Sequence, residues 1–198
     1  LRCLGEVWED NKVDCLESFC LRYVNGDMAP WFYKVWGSVS TFPLFKNNMK
    51  DTLRPVGVKS SLIRNIHKKV VLKNKAPLTE FLEPEQLALS KAGGAKLVHQ
   101  VRMMSEKNPD MVVVKVDMRN AHNEVSRCAV LEALEREPSL RHLAWHQATC
   151  QASHTGLETG GKLWGWSREG QSQGDPEASA WFCVAWHSEV RELNATLA

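Results

Sequence analysis

The chain has 198 residues, an apolar share of 43% and a net charge of +2. That suits one domain, or one and a partial neighbour, with enough apolar surface for a sizeable core, and it excludes a disordered tail. No run approaches the roughly 20 apolar residues of a membrane-spanning helix and no signal-peptide leader is visible, so an intracellular protein with no membrane partner is expected.

Residues 12–24 place Val13, Leu16, Phe19, Cys20 and Val24 at helical spacing. Asn25-Gly26-Asp27 is a stop signal, and Pro30 suits the first turn of a second helix. Residues 39–45 read as a strand, with Pro43 marking an edge or bulge. Residues 46–52 are expected to be a loop or hairpin turn, and 53–58 a short second strand. Ser60 or Ser61 can cap a basic helix with Leu62, Ile66 and Val70 inward. Residues 73–84, which hold Pro77 and Pro84, are expected to be irregular. Gly93-Gly94 opens a helix with Leu97, Val98, Val101 and Met104 inward, ended by Asn108-Pro109. The run Val112-Val113-Val114-Lys115-Val116 predicts a buried strand ending at Asp117.

Helices are predicted near 126–136 (Val130, Leu131, Leu134) and from Pro138 (Leu140, Leu143, Ala144, Trp145). Residues 156–161 read as a turn between two short strands, the second over 162–166. A last helix runs from about Gln173 past Leu193. The order is mixed, with one central sheet, so the class is α+β.

Charge is concentrated. Nine basic residues lie between Lys46 and Lys75 (Lys46, Lys50, Arg54, Lys59, Arg64, Lys68, Lys69, Lys73, Lys75), opposed only by Asp51. Sixteen basic and twenty-two acidic residues remain elsewhere, so one segment carries +8 and the rest −6. A positive stretch of this kind attracts polyanions, nucleic acid first among them.

The six cysteines (Cys3, Cys15, Cys20, Cys128, Cys150, Cys183) form no CxxC pair and read as reduced, mostly buried thiols. His142, His146, Cys150 and His154 recur every four residues. Helical neighbours at that spacing share a face and suit Zn²⁺. All four together, however, span about 18 Å, too far for one ion. The expectation is no zinc, with one of His146 and Cys150 exposed and the other in the core. Trp164 and Trp166, at strand spacing, and Trp31 and Trp36 are possible base-stacking residues, although packing and partner contact are the expected use.

A carboxylate at a strand end is well placed to hold a divalent cation. The string Val114-Lys115-Val116-Asp117-Met118-Arg119-Asn120-Ala121-His122-Asn123 resembles motif A of reverse transcriptases of the non-LTR retrotransposon type, which read Asp-Phe-x-Asn-Ala-Phe-Asn there. Gln173-Gly174-Asp175-Pro176 resembles motif B. Leu53-Arg54-Pro55-Val56-Gly57-Val58, preceded by Leu44-Phe45-Lys46, resembles the Arg-Pro-Ile segment of the fingers. Gly93-Gly94-Ala95 with Val98-His99 resembles the segment before motif A.

The resemblance implies a partial right-hand polymerase: a helical segment over 1–38, a fingers-like region over 39–110, and part of the palm over 111–198 with its sheet and flanking helices. The implied parent activity is RNA-directed DNA polymerisation, template-directed deoxynucleotide addition to a DNA primer on an RNA template with Mg²⁺. It makes Asp117 the catalytic metal ligand. Arg54 would hold the triphosphate, with Arg64 and Lys68 as further phosphate contacts. His122 falls at the sugar-gate position, where the family has an aromatic side chain. Gln173 and Gly174 would line the nucleotide and template pocket.

The chain departs from that pattern in two ways. Glu177-Ala178-Ser179 stands where the family has an apolar residue and a small-Pro pair, and a carboxylate at Glu177 is expected to sit poorly in a core. The Tyr-x-Asp-Asp hairpin, the later palm and the thumb do not appear before Ala198, and no Asp-Asp pair occurs. One carboxylate cannot hold two metals, so this fragment is expected to be catalytically inactive. The alternative is a decayed retroelement remnant that acts as a non-specific nucleic-acid-binding module through residues 46–75.

Overall fold

A computed structural model of the protein describes residues 13–46, 49–150 and 155–197. Helices α1 (Val13–Val24) and α2 (Pro30–Trp36) precede the hairpin β1 (Val39–Lys46) and β2 (Met49–Val58). Then come α3 (Ser61–Lys73), α4 (Lys75–Leu82), α5 (Gly93–Lys107), α6 (Ala121–Glu124), α7 (Arg127–Arg136) and α8 (Arg141–Cys150). Strands β3 (Thr155–Thr159) and β4 (Lys162–Ser167) and helix α9 (Ala178–Leu197) complete the described elements. The class is α+β.

The sheet order is β2-β1-β3-β4. The two hairpins are antiparallel and meet through a short parallel pairing of Val39 with Leu157 and Ser40 with Glu158. Pro43 lies beyond this pairing and stands opposite Pro55. Two residues without an N–H share one rung there, so proline is tolerated in an inner strand.

Two apolar clusters hold the helices. In the larger, Trp181 and Val184 of α9 pack with Val130 and Leu134 of α7, Leu140 and Leu143. In the smaller, Tyr23 and Tyr33 pack with Ile63, Ile66 and Cys150. The Ser60 hydroxyl accepts from the Ile63 N–H and so caps α3; the Ser126 hydroxyl does the same for α7.

Several expectations are corrected. Residues 75–82, expected to be irregular, are helical. Pro77 falls in the first turn of α4, where its missing N–H has no intrahelical bond to lose. The face of α5 expected inward is open: Leu97, Val98 and Met104 are exposed. Trp145 of α8 is exposed and donates its indole N–H to the Asn25 carbonyl. The last helix begins at Ala178 rather than near Gln173.

The largest correction is at 112–117, where no strand forms. These residues have no regular structure and no ladder partner among the described residues, and Val112 is 82% exposed. A β-branched run realises its strand preference through cross-strand packing, and no described strand lies alongside to supply it.

Candidate functional site

The turn between β4 and α9 organises the centre of the molecule. The Arg127 guanidinium donates to the carbonyls of Gly170 and Glu169 and to the Thr155 hydroxyl, fixing the approach to the turn. Gly170 has φ +74°, and a Cβ there would overlap the Asn123 carbonyl, so only glycine fits. The Gln171 N–H donates to the His122 carbonyl at 2.6 Å, and the Gly57 N–H donates to the Gln173 carbonyl at 3.0 Å. Gly174 has φ +113°, and a Cβ there would stand 2.9 Å from the Gly57 oxygen.

These contacts bring the end of β2, helix α6 and residues 171–173 around one cavity of about 230 Å³. Gly57, Asn123, Trp164, Gln171, Ser172 and Gln173 contribute to its wall. The Gln171 side chain is buried, and neither its amide nitrogen nor its oxygen has a hydrogen-bond partner among the described residues. Buried amides are ordinarily satisfied, so Gln171 is an exception among the described residues, enclosed behind the cavity wall. Trp164, 60% exposed, offers an aromatic face beside it.

Directly after the turn lies a buried ionic cluster. Lys59, at the entry to α3, pairs with Asp175 at 2.7 Å. His67 Nδ1, on α3, lies 3.1 and 3.2 Å from the two Asp175 oxygens and 3.4 Å from Glu177. His146 Nε2, on α8, lies 2.8 Å from the other Glu177 oxygen. Its Nδ1 is 3.3 Å from Cys150 Sγ. The Tyr23 hydroxyl is 3.3 Å from His67 Nε2, and the Trp181 indole N–H donates to Glu177 at 3.2 Å.

The charges tune one another. Burial opposes charge on both imidazoles, but Glu177 and further acceptors outweigh it; His67 is raised to about 9, and His146 is also raised. Burial would lift the Asp175 carboxyl, yet Lys59 and His67 hold it well below the usual carboxylate range. Glu177 is lowered in spite of burial by His67 and His146. Burial would raise the Cys150 thiol, but the two histidines outweigh it and bring it down to about 7.

Two expectations fail here. Glu177 sits comfortably in the core, because two imidazoles and an indole meet its carboxylate. His146 and Cys150 are both buried, not divided between surface and core. The missing partner was His67, 79 positions before His146, which no local spacing reveals. His142 is exposed and bonds Asn74, and His154 lies outside the described residues.

Of the residues that the resemblance singles out, Gln173 lines the cavity and Gly174 closes its turn. The His122 ring packs edge-on against Phe182 with centroids 5.5 Å apart, and its Nδ1 is buried without a hydrogen-bond partner among the described residues. Arg54 stands opposite Leu44 on β2, and its side chain lies outside the described residues. Arg64 and Lys68 are exposed one turn apart on α3, away from the cavity wall.

Asp117 is exposed and is not part of that wall. It also belongs to no group of three or more potential metal ligands among the described residues. A paired Mg²⁺ site needs several carboxylates about one point, so the donors around Asp117 do not fit one. Sequence reasoning missed Lys59, His67 and Gln171 as site residues, and read Asp175 only as a turn residue. No protein-family model matches the chain, and neither does any curated protein; its geometry stands as the guide to the site.

Proposed function

We propose that this chain is a nucleotide- and nucleic-acid-binding segment of a reverse-transcriptase-type polymerase, comprising fingers and part of the palm. Its partners are an RNA template, a DNA primer and deoxynucleoside triphosphates. The observation that carries the reading is the cavity. Three segments picked out by motif resemblance (Gly57 on β2, Asn123 after Asp117, and Gln173 in the Gln-Gly turn) share one wall. The exposed indole of Trp164 in that wall suits a base, which offers a π-face.

A second reading, binding without catalysis, is favoured by the exposed, ungrouped Asp117. Both readings place binding at the cavity and the basic α3 face; they differ in whether further carboxylates complete a reactive centre.

The test is calorimetric titration of the protein with deoxynucleoside triphosphates. Saturable binding is expected, weakened by about 1–3 kcal/mol in Trp164→Ala, the range for loss of one base–aromatic stack, and weakened also in Gln173→Ala. Absence of saturable binding, or binding unchanged in both variants, overturns the proposal.

A further inference from the structure

The ionic cluster holds more chemistry than a nucleotide pocket uses. Potential ligand atoms of His67, His146 and Cys150 all lie within 4.8 Å of one another, and all three residues are buried. The two on α8 are one helical turn apart, so they share a face, and α3 presents His67 across from them. The two imidazole rings stand almost perpendicular, centroids 5.7 Å apart.

The outer nitrogens are decisive. His146 Nε2 lies on the Glu177 carboxylate and His67 Nδ1 on Asp175. This leaves His146 Nδ1 facing Cys150 Sγ, and His67 Nε2 facing the Tyr23 hydroxyl. Metal-binding histidines are held in this manner, the outer N–H donating to a carboxylate that orients the ring and raises its basicity. Two ligands on one tetrahedral zinc stand roughly 3.3–3.7 Å apart, given bond lengths of about 2.0–2.3 Å. His146 and Cys150 are already 3.3 Å apart.

We propose that His67, His146 and Cys150 bind a structural Zn²⁺, with the Tyr23 hydroxyl beside His67 Nε2 as an oxygen for the fourth position and Asp175 and Glu177 as its orienting carboxylates. One thiolate and two imidazoles favour zinc over the oxygen-loving Mg²⁺. Charge balances: a divalent cation and Lys59 offset the Cys150 thiolate, Asp175 and Glu177. All three ligands are buried, so the site is closed, as structural zinc sites are. The ion would join α3 and α8 to the residues that follow the Gln173-Gly174 pair, bracing the turn on which the cavity depends.

Two imidazolium protons in place of the ion balance the same charges, and the experiment separates the alternatives. The chelator-treated full chain is loaded with Zn²⁺, and separately with Co²⁺ as a spectroscopic substitute. Expected are one equivalent of metal per chain, tetrahedral Co²⁺ ligand-field bands with a thiolate charge-transfer band, and a zinc-edge absorption fit with one sulfur and two imidazoles. Cys150→Ser should abolish the charge-transfer band, while His142→Ala should keep it. Glu177→Gln should weaken zinc affinity by about 10- to 100-fold. No zinc uptake by the wild-type chain, or a zinc shell without sulfur, overturns the proposal, and both readouts need no variant to fold.

Discussion

Lys59 illustrates how far a residue's role depends on partners distant in sequence. Within the basic run it reads as one of nine solvated cations, but it is buried and bound to Asp175, 116 positions on. Removing one member of a buried pair leaves the other charge uncompensated, at a cost of about 3–5 kcal/mol. Lys59→Met is therefore expected to destabilise the protein by about that amount in urea unfolding, far more than Lys69→Met on the exposed face of α3. Equal small effects would show that Asp175 is satisfied without Lys59. Glu177 makes the same point: as a sequence position it is a carboxylate where an apolar residue belongs. Its carboxylate becomes intelligible only once the donors His67, His146 and Trp181 are placed around it.

At the scale of elements, what was legible follows from local chemistry. Capping serines, the Asn25-Gly26-Asp27 stop and apolar spacing located α1, α2, α3, α7 and α8 closely, because each signal acts within a few residues. The hairpins were legible only in outline. The second strand begins at Met49, inside the expected 46–52 turn, and β3 covers Thr155–Thr159, inside the expected 156–161 turn, leaving Gly160-Gly161 with positive φ between β3 and β4. The Val112–Val116 run failed because strand formation needs a neighbour, and neighbours are not a local property. Helix α5 failed for a related reason: its spacing correctly predicted a helix, but which face meets the core depends on what packs there.

Helix α3 combines both cases. Its inner face carries Ile63, Ile66, His67 and Val70, while Arg64, Lys68, Lys69 and Lys73 remain exposed. If that face tracks a single-stranded backbone, each phosphate contact contributes about 0.7 to the slope of log affinity against log salt. The double variant Arg64→Gln, Lys68→Gln should reduce that slope by about 1.4 in RNA binding assays. An unchanged slope would remove α3 from the interface.

Across the whole molecule, the cavity and the ionic cluster are two sides of one turn. Gly170 and Gly174 give it the backbone freedom to approach Asn123 and Gly57, and Asp175 and Glu177 anchor it from below through α3 and α8. The motif spacing correctly drew attention to Gln173 and Gly174. Gln171 is not distinguishable in the sequence, because its distinguishing feature, a buried amide with no partner among the described residues, exists only after folding. Asp117 carried the most weight as a sequence feature, yet it stands exposed outside the cavity wall.

Whether the cavity at this turn receives a nucleotide is decided by photocrosslinking. The protein would be irradiated with a 4-thio-substituted deoxynucleoside triphosphate and the modified peptides mapped by mass spectrometry. Attachment is expected at Asn123, Trp164 or residues 171–173, competed away by unlabelled nucleotide. Attachment confined to other surfaces, or none that competes, would contradict binding in the cavity.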